Sequence, residues 1–276
     1  GVQSVLPGHY LKIAFRRDGK RTDVTEHRYW DFDFPDAGEE ENPADENRVI
    51  DEFEAIFKRA VEIRLRADVP VVGYLSGGVD SAYVLATASK LRGAPVPSFT
   101  IQVPGKGLDE TDDALFNARA IGSRPTILRC NSSVIANTYP QLIASADCPV
   151  IDTSCAALWR LSQEVHHQGY KVALTGEGSD EAFGGYVWFK LRAMTYWWNM
   201  VRPGASDTVD RLFRRCIPPF KSMKELKRID DIVGGAHAQA GLYQLVANAR
   251  DRYFSRDIKD RIGEHTPYED VPPDRA

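Results

Sequence analysis

Two glycine-rich segments carry most of the residues in this sequence that could do chemistry. The first runs from Leu75 to Ser81 (LSGGVDS), and the second runs from Thr175 to Tyr186 (TGEGSDEAFGGY). Glycines allow backbone N–H groups to approach a ligand closely, and serine hydroxyls add further hydrogen-bond donors. Aspartate side chains can hold a divalent cation against phosphate oxygens. These residue types predict a phosphate-binding site.

The first segment is predicted to lie between a buried strand and the first turn of a helix. Free N–H groups at a helix start bind phosphate oxygens, with help from the helix dipole. The segment is neither a G-x-x-x-x-G-K-[ST] loop nor a G-x-G-x-x-G dinucleotide loop. The alternative interpretation is a tight strand-to-helix turn in which Asp80 is an ordinary first-turn carboxylate.

The second segment places three acids within five residues, at Glu177, Asp180 and Glu181. Carboxylates this close repel one another, so the cluster is costly unless a cation or a proton transfer uses it. The alternative interpretation is a solvated acidic turn that precedes a helix.

Alternating strand and helix patterns position these two segments. An apolar run at Val69–Leu75 predicts a buried strand, and Ser81–Leu91 predicts a helix that ends at Gly93. The alternation continues as strand, helix, strand, helix and strand, at Val96–Val103, Asp112–Ile121, Pro125–Cys130, Ala156–His167 and Tyr170–Thr175. This order predicts the α/β class, with a parallel sheet flanked by helices on both faces. Ligands bind outside the carboxyl ends of such strands, where both segments would lie.

The flanking regions differ from this pattern. Leu6–Ile13 predicts a turn that runs into a strand, and Arg16–Lys20 predicts a polar turn. Phe34–Asn47 is acidic and predicts a linker, and apolar spacing over Phe53–Leu65 predicts an amphipathic helix. Beyond Tyr186 the sequence is aromatic and basic, which predicts a helical C-terminal part.

Composition excludes several classes of protein. A chain of 276 residues with 43% hydrophobic and 27% charged residues is long enough for one or two globular domains. No run approaches the roughly 18 apolar residues that span a bilayer, and a net charge of −4 predicts no general attraction to nucleic acid or membrane. Four cysteines without metal-ligand spacing, together with no visible signal peptide, predict a cytoplasmic protein. The start at Gly1 rather than methionine suggests a fragment of a longer protein.

Together the two segments resemble the synthetase domain of the asparagine synthetase (glutamine-hydrolysing) family, which is part of the ATP pyrophosphatase superfamily. Further matching residues are Ser98–Ile101, Asp109, Glu110, Asp147, Pro149 and Asp152. The resemblance implies an ATP pyrophosphatase-like, adenine nucleotide alpha hydrolase-like fold. It also implies ATP and magnesium (Mg2+) as cofactors.

The resemblance also implies a role for each matched site residue. Five residues would cradle the pyrophosphate of ATP: Ser76, Gly77, Gly78, Asp80 and Ser81. Four residues would line the adenosine pocket: Leu75, Ile101, Thr175 and Gly176. Asp80 and Asp180 would bind magnesium. Glu177 and Asp180 would be the catalytic residues, with Glu177 serving the acyl-adenylate step and the attack of the amine that follows.

The same resemblance implies a domain organisation. Residues 1–20 would be the remnant of an N-terminal glutaminase domain, 21–48 a connector, 49–190 the ATP-binding synthetase core, and 191–276 a truncated helical part. The family's amino-terminal cysteine nucleophile is missing here, because the first cysteine is Cys130. A glutaminase domain in cis or in trans would therefore supply ammonia. The family's later catalytic lysine and arginine-proline-phenylalanine stretch are not found before Ala276.

The implied reaction is ATP-dependent amide synthesis through an acyl-adenylate, with aspartate and glutamine-derived ammonia giving asparagine, AMP and pyrophosphate. Relatives that close β-lactam rings or peptide macrolactam rings share these motifs, so a different small-molecule or peptide carboxylate remains an alternative. A non-catalytic nucleotide-binding module is a second alternative. A ligase for tRNA or a purine nucleotide is disfavoured by the second segment and, for tRNA, by the acidic pI. Whether the protein forms a homodimer stays open.

Overall fold

The elements of the chain follow from the periodicities described above. The computed structural model describes residues 4–33, 35, 39, 45–105, 107–147, 150, 153–186, 189–190 and 254–263. The chain divides into two compact units, Gly1–Ala60 and Val61–Ala276.

The first unit contains an antiparallel hairpin. Strand β1 (His9–Phe15) pairs with β2 (Arg21–Arg28), and Gly19 turns the chain between them with a φ of 78°. The N–H of Lys20 donates to Asp18 Oδ1 at 3.1 Å, as expected for an aspartate in a turn. The predicted strand and polar turn are confirmed. Strand β2 lies within the range that the sequence analysis assigns to the connector.

Helix α1 (Glu46–Arg64) begins earlier than the apolar spacing predicts. The predicted linker reached residue 47, and the predicted helix started at Phe53. Asp45 Oδ1 accepts a hydrogen bond from the N–H of Arg48 at 3.2 Å, which satisfies one of the free donors of the first turn. Residues 46–52 therefore extend the helix by about two turns before its predicted start at Phe53.

The second unit contains a four-stranded parallel sheet. Its strands are β3 (Val71–Tyr74), β4 (Ser98–Gln102), β5 (Thr126–Arg129) and β6 (Val172–Leu174). They lie in the order β5-β4-β3-β6, and every neighbouring pair is parallel. The chain moves outward from β3 to β5 and then returns to the other side of β3. The topological switch point therefore lies between β3 and β6, the two strands that precede the glycine-rich segments.

Helices cover both faces of this sheet. Among the residues of this unit that the structure describes, the helices after β3 are α2 (Val79–Arg92), α3 (Thr111–Ile121), α4 (Ser132–Ser145), α5 (Ser154–His167), α6 (Ser179–Phe183) and α7 (Arg256–Ile262). Val72 of β3 packs with Leu161 and Val165 of α5 in one buried cluster. The next residue, Gly73, lies on the opposite face against Leu85 of α2. The predicted parallel sheet flanked by helices is confirmed.

Helix α4 is an element that the sequence analysis did not predict. It contains Pro140, a residue that normally ends or kinks a helix. Its N-cap Asn131 accepts a hydrogen bond from the N–H of Val134 at 2.9 Å, so the helix start is stabilised locally. Thr138 and Leu142 are its buried residues.

The predicted helical C-terminal part falls mostly outside the described residues, which include only α7 and its immediate neighbours beyond residue 190. Among the described helices, none combines the length and the apolar character that crossing a membrane requires.

Candidate functional site

The first glycine-rich segment is anchored to the sheet at Leu75. The N–H of Leu75 donates to the carbonyl of Phe99 at 2.9 Å, and its own carbonyl accepts from Thr100 Oγ1 at 2.8 Å. Leu75 is only 2% exposed. It therefore fixes the base of the loop, and a contact between Leu75 and adenosine stays a prediction.

Two serines close the loop into a hydrogen-bonded ring. The N–H of Ser76 donates to Ser81 Oγ at 3.0 Å, and the two hydroxyl oxygens lie 2.9 Å apart. Ser81 Oγ donates to the carbonyl of Gly78 at 3.3 Å, and the N–H of Gly78 donates to Ser76 Oγ at 3.2 Å. The loop conformation is therefore set by its own residues.

Gly78 is the N-cap residue of α2 and has no side chain with which to cap the helix. Its φ of −73° and ψ of 155° are extended, so the chain enters the helix directly after the loop. The free N–H groups of the first turn of α2 are groups that can bind an anion. Asp80, in that first turn, is half-buried.

The second glycine-rich segment lies against the first one. A Cβ atom added to Gly176 would lie 2.7 Å from the backbone nitrogen of Ser81 and 3.1 Å from Asp80 Cβ. The two segments, which are far apart in sequence, therefore meet at the start of α2. The structure thus brings the predicted residues Asp80, Ser81 and Gly176 together.

The remaining predicted residues of the second segment surround a single helical turn. Gly178, with a φ of 91°, leads into α6, and Ser179 Oγ donates to the carbonyl of Gly176 at 2.9 Å. Thr175 and Glu177 are exposed, so their side chains are available to a ligand. Asp180 is half-buried.

Gly185 packs closely against Asp180. The N–H of Gly185 donates to the carbonyl of Asp180 at 3.0 Å, and a Cβ on Gly185 would collide with Asp180 Oδ1. The missing side chain at Gly185 therefore leaves room for the carboxylate of Asp180.

Tyr186 and Glu181 form a pair whose role the sequence analysis did not predict. The hydroxyl of Tyr186 donates to Glu181 Oε1 at 2.6 Å. This hydrogen bond raises the pKa of Tyr186 to about 12, with smaller contributions from burial and from the charges of Glu181, Asp180 and Glu177. The same bond lowers the pKa of Glu181. The negative charges of the second glycine-rich segment therefore add to the rise in the pKa of Tyr186.

Ile101 is placed differently from the other predicted residues. It lies in β4, half-buried, and packs against the core cluster that contains Phe99 and Leu161. This packing joins Ile101 to the sheet core, and a contact between Ile101 and adenosine stays a prediction.

The residue types fit a magnesium ion that phosphates help to coordinate. Asp80 and Asp180 belong to segments that meet at Gly176, and magnesium in nucleotide sites commonly takes one or two carboxylates, with waters and phosphates as its other ligands. Within the described part of the chain, no group of three or more histidine, cysteine, aspartate and glutamate side chains forms a site that could hold a metal by itself.

Helix α3 and its N-cap residue Glu110 make contacts to which the sequence analysis gave no role. Glu110 Oε2 accepts a hydrogen bond from the N–H of Gly77 at 3.2 Å. Asn117 Nδ2 donates to the carbonyl of Gly77, also at 3.2 Å. Glu110 is among the residues that match the family, whereas Asn117 carries no signal in the sequence.

Comparison with known proteins gives the family. Residues 52–262 match the family described as Asparagine synthase. The chain is 34% identical over 204 residues to "Amidase chyE" of Penicillium rubens, an alignment that covers 69% of this chain and 30% of that protein. It is 30% identical over 185 residues to "Asparagine synthetase [glutamine-hydrolyzing] 1" of Bacillus subtilis, covering 67% of this chain and 27% of that protein.

Among solved structures, an NH3-dependent NAD synthetase from Campylobacter jejuni is similar with a TM-score of 0.34 and 20% identity, over 51% of this chain and 61% of that one. A similarity this low adds nothing to the assignment. The chain spans about 30% of the length of the two curated relatives described above. Because the family match extends over well over half of its residues and includes both glycine-rich segments, the chain belongs to the asparagine synthase family.

Proposed function

We propose that this chain is the ATP-binding part of an ATP-dependent amide ligase that activates a carboxylate as an acyl-adenylate. The observation that carries the proposal is the contact of Gly176 with Asp80 and Ser81. This contact brings the two glycine-rich segments together at the switch point of the sheet. Phosphate donors and metal-binding carboxylates are then available to the same ligand.

The first glycine-rich segment would bind the pyrophosphate group of ATP. Its serine hydroxyls and the N–H groups at the start of α2 are donors suited to phosphate oxygens. Asp80 and Asp180 would hold magnesium, which stabilises the negative charge that develops on the leaving pyrophosphate. The adenosine would be contacted by four residues: Leu75, Ile101, Thr175 and Gly176.

Glu177 would act as the base that accepts a proton from the attacking amine. A carboxylate substrate attacks the α-phosphorus of ATP, pyrophosphate leaves, and an amine then displaces AMP from the acyl-adenylate. Because an amine near neutral pH is largely protonated, a nearby carboxylate base is useful in this second step. Glu177 is exposed and lies three residues before the half-buried Asp180. Its exposure leaves the carboxylate accessible to an incoming amine.

For the substrate we propose aspartate, with ammonia supplied from glutamine by a glutaminase domain. The family match and the asparagine synthetases among the relatives support this choice. A second candidate is amide-bond formation on a different carboxylate. The identities of 34% and 32% to two fungal proteins called amidases favour that candidate.

Carboxylate-dependent exchange of labelled pyrophosphate into ATP tests the proposal in the full-length protein. We expect exchange when magnesium and the correct carboxylate are both present. Aspartate as the only active acid would support asparagine synthesis, whereas exchange with another amino acid or peptide acid would support the second candidate. Binding of ATP without exchange for any acid in the panel would contradict ligase activity and favour a non-catalytic module.

The Glu177→Gln variant tests the proposed base. If Glu177 accepts the proton of the amine, amide formation should fall by about a hundredfold while ATP binding stays nearly unchanged. Glu164→Gln is the control variant. Glu164 lies near the end of α5, which leads to the amino-terminal end of β6, whereas Glu177 follows the carboxyl end of that strand. The Glu164 side chain accepts a hydrogen bond from Gln168. Full activity of Glu177→Gln would remove Glu177 from the mechanism.

A further inference from the structure

One face of helix α3, together with the residue before the helix, contacts the first glycine-rich segment. Asp113 and Asn117 lie four residues apart in α3, a spacing that places side chains on the same side of a helix, and Glu110 is the N-cap residue just before it. All three lie against Gly77. Glu110 accepts from its N–H and Asn117 donates to its carbonyl, both at 3.2 Å. A Cβ on Gly77 would lie 2.9 Å from Asp113 Cβ and 3.1 Å from Glu110 Cβ.

The bond from Asn117 sets the direction of the peptide that joins Gly77 to Gly78. In a trans peptide the carbonyl and the following N–H point in opposite directions. The Gly77 carbonyl points to Asn117, so the N–H of Gly78 points to the other side, where it donates to Ser76 Oγ. Rotation of this peptide would place a carbonyl oxygen among the donors that are proposed to bind phosphate. Asn117 opposes that rotation.

The bond to Glu110 occupies a donor of the same loop. The N–H of Gly77 points to a carboxylate oxygen, which is an anionic acceptor like a phosphate oxygen. Glu110 is exposed, so its side chain can turn toward water when another anion takes the donor. A carboxylate and a phosphate cannot share this position because two negative charges within a few ångströms repel one another.

We propose that Asn117 and Glu110 are positioning residues for the pyrophosphate-binding loop, with opposite effects on affinity. Asn117 fixes the loop in its anion-binding conformation. Glu110 accepts the N–H of Gly77 in the absence of ligand, and it competes with pyrophosphate for that donor. This inference rests on the proposed function, because it assumes that the loop binds pyrophosphate.

Titration calorimetry of the full-length protein with inorganic pyrophosphate and magnesium tests the inference. Asn117→Asp keeps the shape of the side chain but replaces the donor with a charged acceptor, and it should weaken pyrophosphate binding by about tenfold or more. Glu110→Gln keeps an acceptor but removes the charge, and it should strengthen binding by about fivefold. The matched control is Asp112→Asn, which removes the same charge from an exposed position on the first turn of α3 and should change affinity by less than about twofold.

Hydrogen exchange of the Gly77 amide, measured without any ligand, separates a role in the loop from a general loss of stability. Exchange should become several-fold faster in Glu110→Ala, while the urea midpoint of unfolding stays close to that of the wild type. If Asn117→Asp does not fold, Asn117→Ala takes its place, with weaker pyrophosphate binding again expected.

The outcomes distinguish this inference from the proposed function. Opposite changes in affinity for the two variants, with faster Gly77 exchange, would support the inference. Changes in the same direction, or unchanged affinity in both variants, would overturn it while leaving the proposed function intact. Failure of the wild-type protein to bind either ATP or pyrophosphate would overturn the proposed function itself.

Discussion

At the scale of single residues, Gly176 determines whether the two glycine-rich segments can touch. The atoms closest to its missing Cβ are the backbone nitrogen of Ser81 at 2.7 Å and the carbonyl carbon of Asp80 at 3.0 Å. Both belong to the backbone of the first turn of α2, so neither can move aside as a flexible side chain could. A larger residue at this position would separate the segments.

The Gly176→Ala variant should bind ATP about tenfold more weakly. The added methyl group would overlap the backbone of α2, and such overpacking usually costs about 1–3 kcal/mol. Equilibrium binding of ATP with magnesium measures this change. Gly105→Ala is a matched control, since its added Cβ would meet the flexible end of Leu108 at 3.3 Å and should be tolerated. Equal affinity in both variants would show that the contact is not required for binding.

The pair of Tyr186 and Glu181 predicts a pH dependence. The hydrogen bond raises the pKa of Tyr186 from 10.0 to about 12. A raised pKa means that the bond is fully present below pH 10 and is lost as the pH rises through about 12. In Glu181→Ala the hydrogen-bond acceptor disappears, so Tyr186 should ionise closer to its ordinary value. The difference in tyrosinate absorbance between each protein and its Tyr186→Phe counterpart isolates this one tyrosine, and identical titrations would contradict the pairing.

At the scale of elements, the close packing of α2 on β3 positions the start of α2 beside the loop. Gly73 makes that approach possible, because a Cβ there would collide with Leu85 Cδ1 and lie 3.2 Å from Leu85 Cγ. Leu85 is 0% exposed and has little room to move. The helix and the strand therefore meet at a position where only glycine fits.

The Gly73→Ala variant should lower the free energy of unfolding by about 1–3 kcal/mol, the usual cost of overpacking a core. Urea denaturation measures this loss. Combining Gly73→Ala with Leu85→Ala should cost less than the sum of the two single changes, because the smaller side chain makes room for the new methyl group. Additive costs would show that the strain arises elsewhere.

At the scale of the whole molecule, the order of strands places the candidate site. The β5-β4-β3-β6 order puts the switch point between β3 and β6, and both glycine-rich segments follow those two strands. The site is therefore assembled from parts of the chain that become neighbours only when the sheet is complete. A ligand that joins the two segments should stabilise the fold of the second unit.

ATP with magnesium should raise the unfolding temperature, with a stabilisation of about 2.7 kcal/mol at a ligand concentration one hundred times the Kd. A chelator should remove the magnesium-dependent part of the shift. The magnesium-dependent part of the shift should be missing in Asp80→Asn. It should be retained in the control Asp68→Asn, because Asp68 is exposed and precedes the amino-terminal end of β3, whereas Asp80 follows the carboxyl end of that strand. An unchanged shift in Asp80→Asn would remove Asp80 from the metal site.

The sequence by itself determined the alternation of strands and helices, the parallel sheet and the two glycine-rich segments. These properties depend on residues that are neighbours in the chain, so their period and spacing are visible in the sequence. The start of α1 at Glu46 and the whole of α4 were missed, because a polar first turn and Pro140 conceal the helical pattern.

Only the tertiary structure decided which distant residues touch. It placed Gly176 on the first turn of α2, and it paired Glu110 with the N–H of Gly77 and Asn117 with the carbonyl of Gly77. It also buried Leu75 and packed the half-buried Ile101 against the core cluster. The physical reason is that such contacts depend on strand order and helix packing, which bring together residues whose local sequences carry no information about each other.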